Sequence, residues 1–134
     1  MTRINAGIPV EKLCDQHLLA EHREIVRVRL TQNSKKNPIH EFKLGTGHII
    51  FFKNKLGYIF NRYQELLNEC LSRGFNVTNM SESFKGFDLI GQYSPNDKVI
   101  SLVKERIILR LSDMKNIRFH SKIISFEEAK NLLN

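Results

Sequence analysis

Residues 54–74 read Asn54-Lys-Leu-Gly-Tyr-Ile-Phe-Asn-Arg-Tyr-Gln-Glu-Leu-Leu-Asn-Glu-Cys-Leu-Ser-Arg-Gly74. Leu56, Ile59, Phe60, Tyr63, Leu66, Leu67, Cys70 and Leu71 recur at three- and four-residue intervals, the spacing that gathers side chains along one face of an α-helix. Asn54 suits the cap at the start of such a helix, and Gly74 suits its end. The stretch therefore predicts a helix to about Arg73 whose apolar stripe is core.

Two further helices flank it. Upstream, Pro9 suits a first helical turn and Glu11 the positive end of a helix dipole, which predicts a helix from about Val10 to Leu30. Downstream, Ser94 as cap and Pro95 in the first turn predict a helix to about Leu111, burying Val99, Ile100, Val103, Ile107 and Leu111. Ser125-Phe-Glu-Glu128 has the form of a capping box for a short terminal helix. Residues 31–40, polar with Pro38, read as a loop. Residues 75–93 have little periodicity and read as a long connection packed by Phe84, Phe87 and Leu89. The expected fold is all-α: a single domain over residues 1–134 with three main helices and long irregular loops.

The chain has 134 residues, enough to bury a core without disulfide or metal staples. Its 21 Lys and Arg against 14 Asp and Glu give a net charge of +7, the balance of a protein that meets a polyanion. Cys14 and Cys70 lie far apart with no Cys-x-x-Cys pattern, and read as reduced thiols in a cytoplasmic protein. The apolar run at residues 48–52 is far short of the roughly 20 residues that span a bilayer, so no membrane association is expected. Gly45-Thr-Gly-His48 lacks the ending of a phosphate loop, and Ile50 stands where a dinucleotide fingerprint needs a third glycine; a tight turn is the reading that remains. The five histidines include no His-Glu-x-x-His, and neither a metal nor any other cofactor is expected.

No Gly-x-Ser-x-Gly elbow supplies a nucleophile, and neither cysteine has a catalytic context. An α-amine can fill that gap, although Thr2-Arg3 fits a frayed polar terminus as well. Thr2 is small enough for removal of Met1 to be expected, and the amine so exposed titrates near about 7.7–8.0, low enough to be partly neutral at pH 7. A neutral amine attacks carbonyl-like carbon and forms a Schiff base. On the first helix, Glu24 stands between Arg23 and Arg27. A solvated salt bridge and a catalytic acid are both compatible with that spacing.

Met1-Thr-Arg-Ile-Asn5 followed by Cys14-Asp-Gln-His-Leu-Leu-Ala-Glu-His-Arg-Glu24 resembles the phage endonuclease V family of pyrimidine-dimer DNA glycosylases. Gly45-Thr-Gly-His-Ile-Ile-Phe-Phe-Lys-Asn-Lys-Leu56 and Glu69-Cys-Leu-Ser-Arg-Gly-Phe-Asn76 agree with it in order. The similarity is strongest over residues 1–112. It implies an endonuclease V-like fold, Thr2 as the nucleophilic terminus and Glu24 as the essential glutamate. Arg3, Arg23 and Arg27 match arginines that hold backbone phosphates. Gln16 and His17 fall on the matched helix in a supporting DNA-binding role, although His17 fits equally a packed, hydrogen-bonded position. Arg106 and Arg110 match basic positions, as DNA contacts or as a solvated cationic face. The partner implied is damaged double-stranded DNA bound by a monomer, and the activity is glycosylase plus abasic-site lyase on UV-induced cyclobutane dimers through a Schiff base.

The sequence departs from that family at residues 113–134. Dimer-specific members end in a cluster of tryptophan and tyrosines, whereas Ile117-Arg-Phe-His-Ser-Lys122 keeps one aromatic and exchanges the rest for charge. Base stacking on an aromatic contributes about 1–3 kcal/mol. Two alternatives follow: a lyase or glycosylase for abasic sites or another damaged base, and a non-catalytic DNA-binding module.

Overall fold

The computed structural model describes residues 2–134. The helix read from the quoted stretch is α3, Leu56–Ser72, and its buried face is Leu56, Gly57, Ile59, Arg62, Tyr63, Leu66, Leu67 and Cys70. Leu71, placed in the stripe by spacing, is instead 54% exposed, and a charged residue, Arg62, takes part in the buried face. Asn54 does not cap this helix. The cap position is Lys55, with no side-chain bond, and the first turn is satisfied from a distant segment: Gly57 N–H donates to Ile90 O at 3.0 Å and Tyr58 N–H to Gly91 O at 2.9 Å. The crossing is close enough to demand glycine on both sides. A Cβ on Gly57 would lie 2.7 Å from Gly91 O, and one on Gly91, where φ is +92°, would lie 2.0 Å from Asn54 O. At the other end Phe75 N–H donates to Cys70 O and Gly74 N–H to Leu71 O, the reversed bonds that close a helix at glycine.

The single helix expected over residues 10–30 is three pieces. Val10–Lys12 is a 3-10 turn, Leu13 is extended, α1 runs Asp15–Glu24, and Ile25–Asn33 is 3-10. The change after Glu24 coincides with Ile25, Val26, Val28 and Thr31, all β-branched and all buried, which crowd the preceding turn of an α-helix. A four-residue helix, α2, His48–Phe51, follows the glycine-bearing turn.

The remaining elements are helix α4, Asp97–Ser112; strands β1, Arg118–Phe119, and β2, Lys122–Ile123; and helix α5, Phe126–Leu132. The cap of α4 is Asn96, whose side chain accepts from Val99 N–H at 2.9 Å, so the helix begins two residues later than a Ser94 cap requires. The capping box of α5 is present as read: Ser125 Oγ accepts from Glu128 N–H and Glu128 Oε1 from Ser125 N–H. The strands pair antiparallel through His120 and Ser121, both at positive φ, in the two-residue turn that suits a twisted hairpin. The fold is all-α apart from this hairpin.

Contacts divide the chain into two units, each discontinuous in sequence: residues 2–4 with Glu21–Tyr93, and Asn5–Ala20 with Ser94–Asn134. In the first, α3 packs against the 3-10 segments Ile25–Asn33 and Ser81–Phe84. Tyr63 and Phe84 are among its fully buried side chains, and Phe84 meets Phe60 at 5.1 Å and Tyr63 at 5.7 Å between ring centroids. In the second, α4 packs against α5 and buries Val99, Val103, Ile107 and Leu111, four of the five residues expected to be buried.

Candidate active site

Thr2 is 8% exposed and lies in the first unit on the wall of a cleft of about 810 Å³. Arg27, Leu30 and Thr31 line the cleft from the 3-10 segment after α1, Ser34, Lys36, Asn37 and Ile39 from the loop, and Thr46, Gly47, Ile49 and Ile50 from the turn and α2. Thus the 3-10 segment, the loop and the glycine turn form one site with the chain terminus. Leu30, Ile39, Ile49 and Ile50 make it largely apolar, with Arg27 and Lys36 as its cations.

The turn is held by backbone geometry. Gly47 has φ of +90°, and a Cβ there would lie 2.6 Å from Ile39 Cδ1, so glycine keeps both the reversal and the space beside the loop. His48 follows, 2% exposed, with its ring edge-on to Phe42 and Phe52 at 5.4 and 5.5 Å. Ile4 N–H donates to His48 Nε2 at 2.9 Å, and His48 Nδ1 lies 2.7 Å from Lys43 O. A carbonyl only accepts, so the proton is on Nδ1 and Nε2 is the bare acceptor: this histidine is neutral. The loop wall is held by Lys53, whose Nζ donates to Ser34 O at 2.5 Å and Lys36 O at 2.6 Å.

The end of α1 is anchored by a buried ion pair. Arg62 Nε donates to Glu21 Oε2 at 2.5 Å and Nη2 to Glu21 Oε1 at 3.1 Å, with both side chains at least 95% buried. Burial opposes the charged guanidinium, but the charge and hydrogen bonds of Glu21 outweigh it and raise the Arg62 pKa. One residue on, His22 Nε2 shares a 3.0 Å hydrogen bond with the Tyr63 hydroxyl, which also accepts from Met80 N–H at 2.7 Å. Burial, with a contribution from Arg23, lowers the His22 pKa.

Glu24, the last residue of α1, has a side chain 16% exposed and a loose 3.8 Å pairing with Arg23, itself 65% exposed. Glu24 is not among the residues that line the cleft. Arg3 is half-buried and Arg27 exposed. Thr2, Arg3, Arg23, Glu24 and Arg27 thus belong to the first unit, and the structure puts Thr2 and Arg27 on one cleft. The processing expected at Met1 lies outside the described residues.

Gln16, His17, Arg106 and Arg110 belong to the second unit. Gln16 uses both ends of its amide within the protein, donating to Asn116 O at 2.9 Å and accepting from Arg118 N–H at 3.1 Å. Arg106 Nη2 reaches Asn5 Oδ1 at 3.4 Å, and His17 and Arg110 are half-buried. The buried carboxylate of Asp15, to which no motif assigns a role, accepts from His120 N–H at 3.0 Å and Ser121 N–H at 2.8 Å. Together Asp15 and Gln16 clamp the hairpin that carries Phe119.

His48, Lys53 and Asp15 carried no motif of their own. All three fall within the stretches that resemble the endonuclease V family, and the pair of glycines before His48 marks a turn, but neither signal marks a partner. Among the described residues no three His, Cys, Asp or Glu side chains are grouped to hold a metal ion, and no helix is long and apolar enough to cross a membrane.

The model of the family described as pyrimidine dimer DNA glycosylase matches residues 1–83. That span contains α1, α2, α3 and every residue of the cleft, and ends before α4. Matched over more than half its length, the chain belongs to the pyrimidine dimer DNA glycosylase family, a family of DNA repair enzymes.

Proposed function

We propose that the protein is a monomeric glycosylase and abasic-site lyase for cyclobutane pyrimidine dimers in duplex DNA, with the α-amine of Thr2 as nucleophile once Met1 is removed. The observation that carries this reading is the position of Thr2 on a largely apolar cleft that Arg27 also lines. An apolar wall disfavours protonation of an amine, and so favours its nucleophilic form.

In this mechanism the exposed arginines 23 and 27, with Arg3, neutralise phosphates around the lesion, and Arg106 and Arg110 add contacts from α4. The base opposite the dimer is drawn from the stack, which makes room for the terminus at the lesion. The amine attacks C1′ of the sugar, the glycosidic bond breaks, and the base departs with its electron pair and takes up a proton. The nitrogen gives up a proton, the C1′–O4′ bond then opens with the ring oxygen taking up a proton as the 4′ hydroxyl, and the imine forms. Loss of a C2′ proton then expels the 3′ phosphate by β-elimination. Glu24 stabilises the cationic sugar and assists these proton transfers.

A second reading is favoured by one feature. The family match stops at residue 83, and the divergent hairpin offers Phe119 as its aromatic. A lyase that has kept the amine chemistry while reading an abasic site or another damaged base fits this equally.

Borohydride trapping separates the readings, using protein whose mass shows loss of Met1, on one duplex with a thymine dimer and one with an abasic site. Adducts on both, diminished by Glu24→Gln, are expected. An adduct on the abasic duplex alone means a changed lesion reader, and none on either leaves a DNA-binding module.

A further inference from the structure

We infer that His48 is a positioning residue for the N-terminal nucleophile, fixing the terminus in the cleft through the backbone of Ile4. The inference rests on the reading of Thr2 as nucleophile. Residues 2–4 form a short arm, and the bond from Ile4 N–H to His48 Nε2, two residues from Thr2, is a directional tie on it. Its other end is equally fixed. His48 Nδ1 donates to Lys43 O, and the ring packs edge-on against both Phe42 and Phe52, so the acceptor lone pair has one orientation. His48 also follows directly on Thr46 and Gly47, which line the cleft. One imidazole therefore sets the terminus in register with the opposing cleft wall.

Both ring nitrogens being committed, His48 is not available as a general base or as a metal ligand, and its contribution is geometric. A nucleophile displaced by about 1 Å can lose about a hundredfold in rate. A proton on Nε2 would point at the Ile4 N–H and abolish the bond.

The test compares processed wild type, His48→Phe and His48→Gln by borohydride trapping at saturating abasic duplex, with DNA affinity measured at fixed salt. Phenylalanine keeps the ring packing and removes the acceptor, whereas the Oε1 of glutamine reaches the place of Nε2. The trapping rate of His48→Phe is expected to fall about 10- to 100-fold with Kd little changed, and His48→Gln to recover most of it. Equal trapping by folded His48→Phe, or a His48→Gln variant as slow as His48→Phe, overturns the inference. If His48→Phe does not fold, the scalar coupling across the hydrogen bond between Ile4 N and His48 Nε2 is measured in uniformly labelled wild type, free and after trapping. Its presence in both states supports the tie, and its absence in either refutes it. A wild type that does not trap on the abasic duplex instead removes the nucleophile reading, and this inference with it.

Discussion

Arg62→Leu removes the cation from a buried, two-bond ion pair and leaves the Glu21 carboxylate in a site 99% closed to solvent. Breaking one side of such a pair typically costs about 3–5 kcal/mol, because the surviving charge has neither water nor partner. For a chain of 134 residues, between the size classes for which the conversion is known, this is a fall in Tm of about 10–20 °C. Replacing both residues with apolar ones of similar volume removes the desolvation cost as well, so Glu21→Met with Arg62→Leu should return to within about 2 kcal/mol of wild type. Urea unfolding of wild type, Arg62→Leu, Glu21→Met and the double variant gives the coupling energy directly. Glu21 stands one helical turn before Glu24, so the single variant should also trap imine more slowly per folded molecule, as the end of α1 loses its anchor. A single variant costing less than about 1 kcal/mol would mean that water reaches the pair and that α1 is held by apolar packing alone.

Asp15→Ala removes the acceptor of two backbone donors in the hairpin turn; hydrogen bonds to a charged acceptor contribute about 1.5–3 kcal/mol each. Water can serve the exposed turn in its place, so the expected loss is at the low end of that range for the two bonds together. Amide exchange at His120 and Ser121 should accelerate, and discrimination between dimer and abasic duplexes should drop while trapping on the abasic duplex persists. For pH, burial lowers the His22 pKa below its unfolded value of 6.5, so the unfolded chain binds the proton more readily. Stability is therefore fully present above about pH 6.5 and declines as pH falls through the folded pKa, by at most about 1.4 kcal/mol per pH unit. Thermal melts between pH 7.5 and 5 should show a shallower slope for His22→Phe, and an unchanged slope would mean that another group controls the acid limb.

The helical class was legible because residues 56–70 repeat at helical spacing and because Ser125 and Glu128 are local signals. The caps were less so. Asn54 and Ser94 have the chemistry of caps, but α3 takes its first-turn partners from residues 90 and 91, and α4 finds a better acceptor in Asn96. The break after Glu24 was present in the run of β-branched residues, though a three- and four-residue pattern continues through it. At the site, Thr2 and Arg27 were identified by resemblance to known enzymes, and their shared cleft is a tertiary fact with no trace in spacing. The same holds for His48, Lys53 and Asp15. Each is joined to its partner mainly through backbone atoms, which every sequence supplies alike.

The interleaving of the two units bears on the order in which the chain is made. By the time Tyr93 leaves the ribosome every residue of the first unit has been synthesised, while residues 5–20 still await their partners at 94–134. Asp15 is completed 105 residues before the His120 amide it accepts, and Lys12 is made 122 residues before the Asn134 carbonyl to which it donates. The arm bearing Thr2 can thus meet His48 early, but the segment directly behind it closes last. A protein released short of its tail would carry the cleft complete in sequence and leave the start of α1 without the partners that hold it.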